Sequence, residues 1–264
     1  MLIKLLSVLA IVYLALLVFA IFASNSMIFP IPPASYHDEA NTLKLKTNTG
    51  AQITTVYLEA PDSEQILLYS HGNGEDIGRI LDFLKDFQRR GISVLVYDYP
   101  GYGTSSQKPS EPGVYAAVEA VYKFATQTLN FKPEQIVLYG YSLGSGPSCW
   151  LAERYPVNRV ILEGAFTSTF RVISRVKLLP IDKFDNLYRL KNIDCPILLI
   201  HGTEDQIVPF WHAQKNWKVL RGEKQKLWVQ NAGHVNVPEV AGSLYWDTVT
   251  SFIKQKDNVE QTDK

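Results

Sequence analysis

Gly140-Tyr141-Ser142-Leu143-Gly144 is a G-x-S-x-G pattern, placed after an apolar run (IVLYGYS, 136–142) and before a helical segment. A sharp strand-to-helix turn leaves no room for a β-carbon two residues either side of the serine, hence both glycines. The same turn lifts the Ser142 hydroxyl clear of the backbone and aims a helix N-terminus at any anion formed there. A hydroxyl is a weak nucleophile and needs a base. Of the five histidines, His234 follows the last apolar run inside Ala232-Gly233-His234, where a short loop can hang an imidazole over the strand tips. His71 and His201 each precede a glycine at a strand end and are expected to brace loops. His37 falls in a connector, and His212 falls in a helix and is expected to face solvent. The base needs an orienting acid, and Asp205, in the segment running from His201 to Pro209, is the candidate, with Glu204 as its neighbouring alternative. An oxyanion hole requires two N–H donors. Leu143, directly after the serine, supplies one, and the loop His71-Gly72-Asn73-Gly74 supplies the other, with Asn73 best placed. Ser142, Asp205 and His234 in that chain order would support acyl transfer.

Other chemistries are poorly served. Gly72, Gly74 and Gly78 are spaced one residue too long for a dinucleotide fingerprint, and G-K-[ST], H-E-x-x-H and C-x-x-C patterns do not occur. Two cysteines, Cys149 and Cys195, are too few for a Cys-rich zinc site or a disulfide scaffold. No metal, no dinucleotide loop and no P-loop are therefore expected. Lysine and arginine number 26, as do aspartate and glutamate, so the basic excess of a nucleic-acid partner is missing.

The elements that position these residues alternate. LKLKT and ITTVYLEA flank Asn48-Thr49-Gly50 as an antiparallel hairpin. Apolar runs at 65–72, 92–99, 136–142, 159–164, 196–202 and 227–233 read as buried strands. Residues 76–90, 112–129, 143–154 and 238–254 carry helical spacing. Strands joined by helices give an α/β fold with a mostly parallel sheet and helices on both faces. In such sheets chemistry sits beyond the C-terminal strand ends, where His71–Gly74, Ser142, Asp205 and His234 all fall.

The N-terminus is a different material. Residues 5–23 hold no charge in nineteen positions, a helix of about 28 Å against a hydrocarbon core of about 30 Å. That length favours an uncleaved anchor (1–26) over a cleaved signal peptide and a secreted product, because Ile21 stands where a cleavage site wants a small residue. Lys4 precedes the span and the next basic residue is Lys44, which places the catalytic domain on the non-cytoplasmic side. A Pro-rich connector (27–40), a folded domain (41–256) and a polar tail (257–264) complete the chain.

The stretches LLYSHGNGEDIG, VLVYDYPGYGTS, IVLYGYSLGSG, LEGAFTS, LLIHGTEDQIVP and NAGHVNV resemble, in order, the α/β-hydrolase superfamily, and in particular its small membrane-anchored abhydrolase-domain serine hydrolases. The likeness runs over roughly residues 50–255. It implies Ser142 as nucleophile, Asp205 as acid, His234 as base, Asn73 and Leu143 as oxyanion donors, and no cofactor. It departs at Val235-Asn236, where relatives often carry a small or acidic pair. Relatives of this type act on lysophospholipid or monoacylglycerol esters, on fatty-acyl thioesters of proteins, or bear a serine-aminopeptidase label.

The substrate is approached through the insertion at 165–194, after the strand RVILEG. Phe166, Phe170, Ile173 and Val176 are spaced for one amphipathic cap helix, either walling the site or packing onto the sheet. A small cap near a bilayer fits an amphiphilic acyl ester or thioester, from a lipid or an acylated protein. The rival peptidase needs a carboxylate for a free amino terminus, for which Glu75, Asp76 or Glu163 could serve. A non-catalytic binding protein is disfavoured by the complete Ser, Asp and His set.

Overall fold

The computed structural model describes residues 1–176 and 178–255, so the expected polar tail (257–264) lies outside the described residues. Among the described residues eight strands form one sheet: β1 (Thr42–Lys46), β2 (Gln52–Leu58), β3 (Ile66–Ser70), β4 (Ser93–Tyr97), β5 (Ile136–Tyr141), β6 (Arg159–Glu163), β7 (Ile197–Gly202) and β8 (Lys224–Val229). Their order is β1-β2-β4-β3-β5-β6-β7-β8. β1 and β2 pair antiparallel, β2 meets β4 antiparallel, and all other neighbours are parallel.

Side-chain alternation along β3 explains why the strand is apolar throughout. Ile66 and Leu68 enter the core on one face, Leu67 and Tyr69 the core on the other. The first face is covered by Val114, Ala117, Val118 and Val121 of α4 (Glu111–Gln127) and by α5 (Ser145–Ala152). The second is covered by α3 (Ile77–Arg89), which turns Ile80, Leu84 and Phe87 inward, and by α10 (Ser243–Lys254). The chain runs from β3 outward to β4, then crosses back to β5 on the other side of β3. The strand order therefore reverses between β3 and β5, and the loops leaving these two strands diverge to open a crevice.

Three details differ from the sequence reading. The last strand begins three residues earlier than expected and stops at Val229, because Asn231 takes a positive φ of 61° and turns the chain. The closing helix is two helices, α9 (Val237–Ala241) and α10, broken at Gly242 with φ 55°. The cap holds no single amphipathic helix. α6 (Thr169–Ser174) ends where Arg175 turns left-handed, and α7 (Asn186–Arg189) follows as a separate turn. Phe166 is buried and Phe170 packs against the core, whereas Ile173 is 72% exposed and Val176 56% exposed.

Ahead of the sheet stand α1 (Leu2–Phe22) and the short α2 (Ser24–Ile28). α1 is long and apolar enough to cross a membrane and is exposed along almost its whole length, with Ala20 its one buried residue. The Pro-rich connector is extended but not free. Ile28 and Phe29 are buried in the first core, Phe29 sits edge-on to Phe184 at 6.1 Å, the Ser35 N–H donates to Asp76 at 2.6 Å, and the Tyr36 hydroxyl donates to Asp98. Packing thus reaches back to Ile28, ahead of the start near Asn41 that composition suggested.

Candidate active site

Ser142 sits in a tight turn between β5 and α5, with φ at 50°, in the left-handed region where a side chain is strained. Gly144 shows why the turn can be so close: a β-carbon there would lie 1.9 Å from the Ser70 carbonyl oxygen at the end of β3. The turn is fixed from below, as the Ser145 hydroxyl donates to the Ser142 carbonyl at 2.7 Å and Asn186 donates to Ser145 at 2.9 Å.

The loop after β8 brings His234 to this turn. Its Nε2 lies 2.9 Å from the Ser142 Oγ, and its Nδ1 lies 2.6 Å from the Asp205 Oδ2. A carboxylate only accepts, so Nδ1 carries the hydrogen and Nε2 is left to accept the serine proton. Asp205 is itself held: its Oδ1 accepts the Ile207 and Val208 N–H groups at 2.9 and 2.8 Å. His201 donates to the Val208 carbonyl at 2.8 Å and also lies 3.2 Å from Asp205 Oδ2. Burial works to raise the Asp205 carboxyl, but the bonds from His201 and His234 prevail and hold it well below the usual carboxylate range. Glu204, the alternative acid, has no such contact to His234. Ser142, Asp205 and His234 are each under 9% exposed.

Asn73 and Leu143 line the same cavity as Ser142, on the two diverging loops. The expected bracing by His71 is found: it is fully buried, its Nδ1 donates to the Gly72 carbonyl at 2.7 Å, and burial pushes its pKa down to about 4. His37 is exposed in the connector. His212 corrects the expectation of solvent exposure. It is fully buried, accepts the Thr167 N–H at 3.0 Å, and stacks on Trp211 at 3.6 Å, because α8 (Trp211–Val219) lays that face on the cap.

Sequence reasoning missed three supports. Gly164, at the end of β6, has φ 61°, and a β-carbon there would meet the His234 Cε1 at 2.9 Å. The Tyr141 hydroxyl donates to the His234 carbonyl at 3.1 Å. Asn236, part of the departure noted above, accepts the Gly233 N–H at 2.7 Å and closes the histidine loop. Glu-Gly at a strand end was the available signal for the first; the others depend on loop geometry that spacing does not encode.

The cavity on Ser142 measures about 320 Å³, within the range of small-ligand sites. Phe166, Phe170, Leu179 and Ile181 wall it from the cap, and Leu143, Ile207 and Val208 from the sheet side. Asp182 lines it but accepts from the Ser168 hydroxyl at 2.6 Å and the Phe170 N–H at 3.1 Å, and the three candidate carboxylates for an amino-terminus clamp do not line it and are also engaged. Asp76 takes Ser35 and caps α3, Glu163 accepts from Tyr139 and from Tyr245 (2.9 Å), and Glu75 accepts the Gly72 N–H at 2.8 Å.

Residues 61–187 match the family model described as serine aminopeptidase, S33, and residues 174–258 match the prolyl oligopeptidase family. The chain is 34% identical over 223 residues to alpha/beta hydrolase domain-containing protein 17B of Homo sapiens, covering 83% of this chain and 77% of that one. It is 33% identical to protein 17C of Xenopus laevis, covering 83% and 71%. Among solved structures, an esterase of Pyrococcus furiosus superposes with a TM-score of 0.70 at 17% identity, covering 85% of this chain and 98% of that one. An esterase of Exiguobacterium antarcticum gives 0.64 at 16%, covering 80% and 99%. These structural likenesses establish the fold, and the sequence relatives establish more: the chain belongs to the α/β-hydrolase family, as a serine hydrolase similar to the alpha/beta hydrolase domain-containing 17 proteins.

Proposed function

We propose that the chain cleaves carboxylic esters or thioesters of fatty-acyl type through an acyl-enzyme on Ser142. The observation that carries this reading is the apolar cavity ending at the Ser142 hydroxyl. In the proposed mechanism Ser142 Oγ attacks the acyl carbonyl while His234 Nε2 takes its proton. The Asp205 carboxylate holds the imidazolium that forms. The oxyanion is received by the backbone N–H groups of Asn73 and Leu143, donors worth roughly 3–4 kcal/mol each in measured cases. His234 then returns the proton to the departing alcohol or thiol, and a water, deprotonated by the same histidine, releases the acid.

The S33 match favours a second reading, an aminopeptidase on the same three residues. Such an enzyme needs a free carboxylate to hold the substrate's ammonium group. Asp76, Glu163 and Glu75 are all committed to partners inside the fold, which weighs against it. A series of p-nitrophenyl and thioester substrates of two to sixteen carbons, run beside aminoacyl anilides, tests the choice. Rising kcat/KM with acyl length is the expected result. Turnover of the anilides alone would overturn the ester reading.

For the N-terminal segment we propose a membrane anchor, with the domain on the non-cytoplasmic face by the Lys4 argument. Protease added to the non-cytoplasmic face of right-side-out membrane vesicles should digest the domain; protection there, with digestion from the cytoplasmic face, would reverse the orientation.

A further inference from the structure

The wall of the Ser142 cavity is not built by the hydrolase domain alone. Leu16 and Phe19 of α1 line it, together with Ser24, Met27 and Ile28 of α2. Leu16 lies six residues before the end of α1, so the cavity reaches about 9 Å along that helix from its domain end. A helix of this length and composition in a bilayer carries Leu16 within the hydrocarbon. Facing it across the cavity is the cap, where Phe166 and Phe170 pack into the core but four further apolar side chains stay exposed. Ile173, Val176, Leu178 and Ile181 line the cavity and are also exposed, and Met27 joins them from α2. An apolar patch of this kind on a lone soluble chain is unfavourable, and here it is continuous with a helix that carries no charge from Leu5 to Phe22.

We propose that α1 is a wall of the acyl site as well as an anchor, and that the cavity opens sideways between α1 and the cap into the leaflet. The occupant is the acyl chain of a membrane-resident ester or thioester, which reaches Ser142 with its tail still among lipid tails. This rests on the ester-hydrolase reading above and adds the route and the residues that measure chain length. The headgroup or protein carrying the acyl chain stays at the membrane surface, and only the carbonyl is drawn to the serine.

The test uses the full chain in phosphatidylcholine vesicles and a hexadecyl fluorophosphonate with a diazirine at the chain end. The expected result is modification of Ser142 and, after illumination, a crosslink from the tail to the α1 peptide containing Leu16 and Phe19, or to the cap. Modified Ser142 with crosslinks confined to other surfaces overturns the proposal and leaves the hydrolase reading standing. Unmodified Ser142 in folded protein overturns the hydrolase reading, and this proposal falls with it. Two variants of the same helix add a kinetic readout. Leu16→Trp should lower the ratio of long-chain to short-chain kcat/KM about tenfold, equivalent to two methylenes excluded from the cavity. Leu14→Trp, outside the cavity wall, should keep the wild-type ratio. Equal ratios in the two variants would show that α1 is an anchor only.

Discussion

Gly164→Ala should damage catalysis more than stability. The residue takes φ 61°, and its missing β-carbon leaves room for the His234 ring, whose Cε1 would stand 2.9 Å from an alanine methyl. Alanine in the left-handed region costs roughly 1–2 kcal/mol. The methyl also presses on the ring, which must retreat by several tenths of an ångström to restore van der Waals contact. The ring is bound on both sides, at 2.9 Å to Ser142 and 2.6 Å to Asp205, so any retreat lengthens one of these bonds. Misplacement of a catalytic group on this scale lowers kcat by roughly 10–100-fold. The assay is kcat and KM on a short soluble ester, beside urea unfolding of the same protein. Gly242→Ala is the control. It has φ 55° with nothing within 4 Å, between α9 and α10. It should lose stability at near wild-type kcat. A Gly164→Ala enzyme with unchanged kcat would refute the idea that Gly164 positions His234.

Further outcomes follow from the same geometry. Gly144→Ala should destabilise far more than Gly164→Ala, because its β-carbon would stand 1.9 Å from the Ser70 backbone oxygen, a main-chain atom at the end of β3 that cannot swing aside; loss of soluble protein or a large fall in the urea midpoint reports it. Asp205→Asn should lower kcat roughly 10⁴-fold with folding intact, since an amide no longer fixes the Nδ1 hydrogen on His234; a fall below tenfold would point to Glu204. Asp98, buried against His71 Nε2 at 3.5 Å and bonded to Tyr36 and the Ile77 N–H, has its carboxyl pushed up to about 7 by burial. Its ordinary value is about 3.9, so the stability it gives is full below that pH and is lost as pH rises through 7. Wild-type urea midpoints should therefore drop from pH 5 to pH 8, and Asp98→Asn should flatten that drop.

Much of this arrangement was legible in the sequence, and the reasons are local. The two glycines around Ser142 mark a turn that only close backbone approach requires, and the apolar runs mark strands covered on both faces. The histidine was readable because Gly233-His234 follows the last strand, though the strand itself ends at Val229 and the loop is longer than the apolar run implied. His212 was misread because a helix of mixed polarity does not declare which face is covered; the cap supplies the cover, and Thr167 supplies the hydrogen bond. The cap helix failed for a related reason. Phe166, Phe170, Ile173 and Val176 have helical spacing, yet the helix covers only Thr169–Ser174, and Ile173 within it and Val176 beyond it are both exposed. The involvement of Leu16 and Phe19 was invisible, since an evenly apolar helix has no face to read.

The central claim is that His234 and the oxyanion donors make Ser142 a working nucleophile, and a fluorophosphonate probe tests it directly. Wild-type protein should be labelled on Ser142, Ser142→Ala should stay unlabelled, and both should unfold at the same urea concentration. Folded wild-type protein that takes up no label, in detergent and in vesicles alike, would contradict the account.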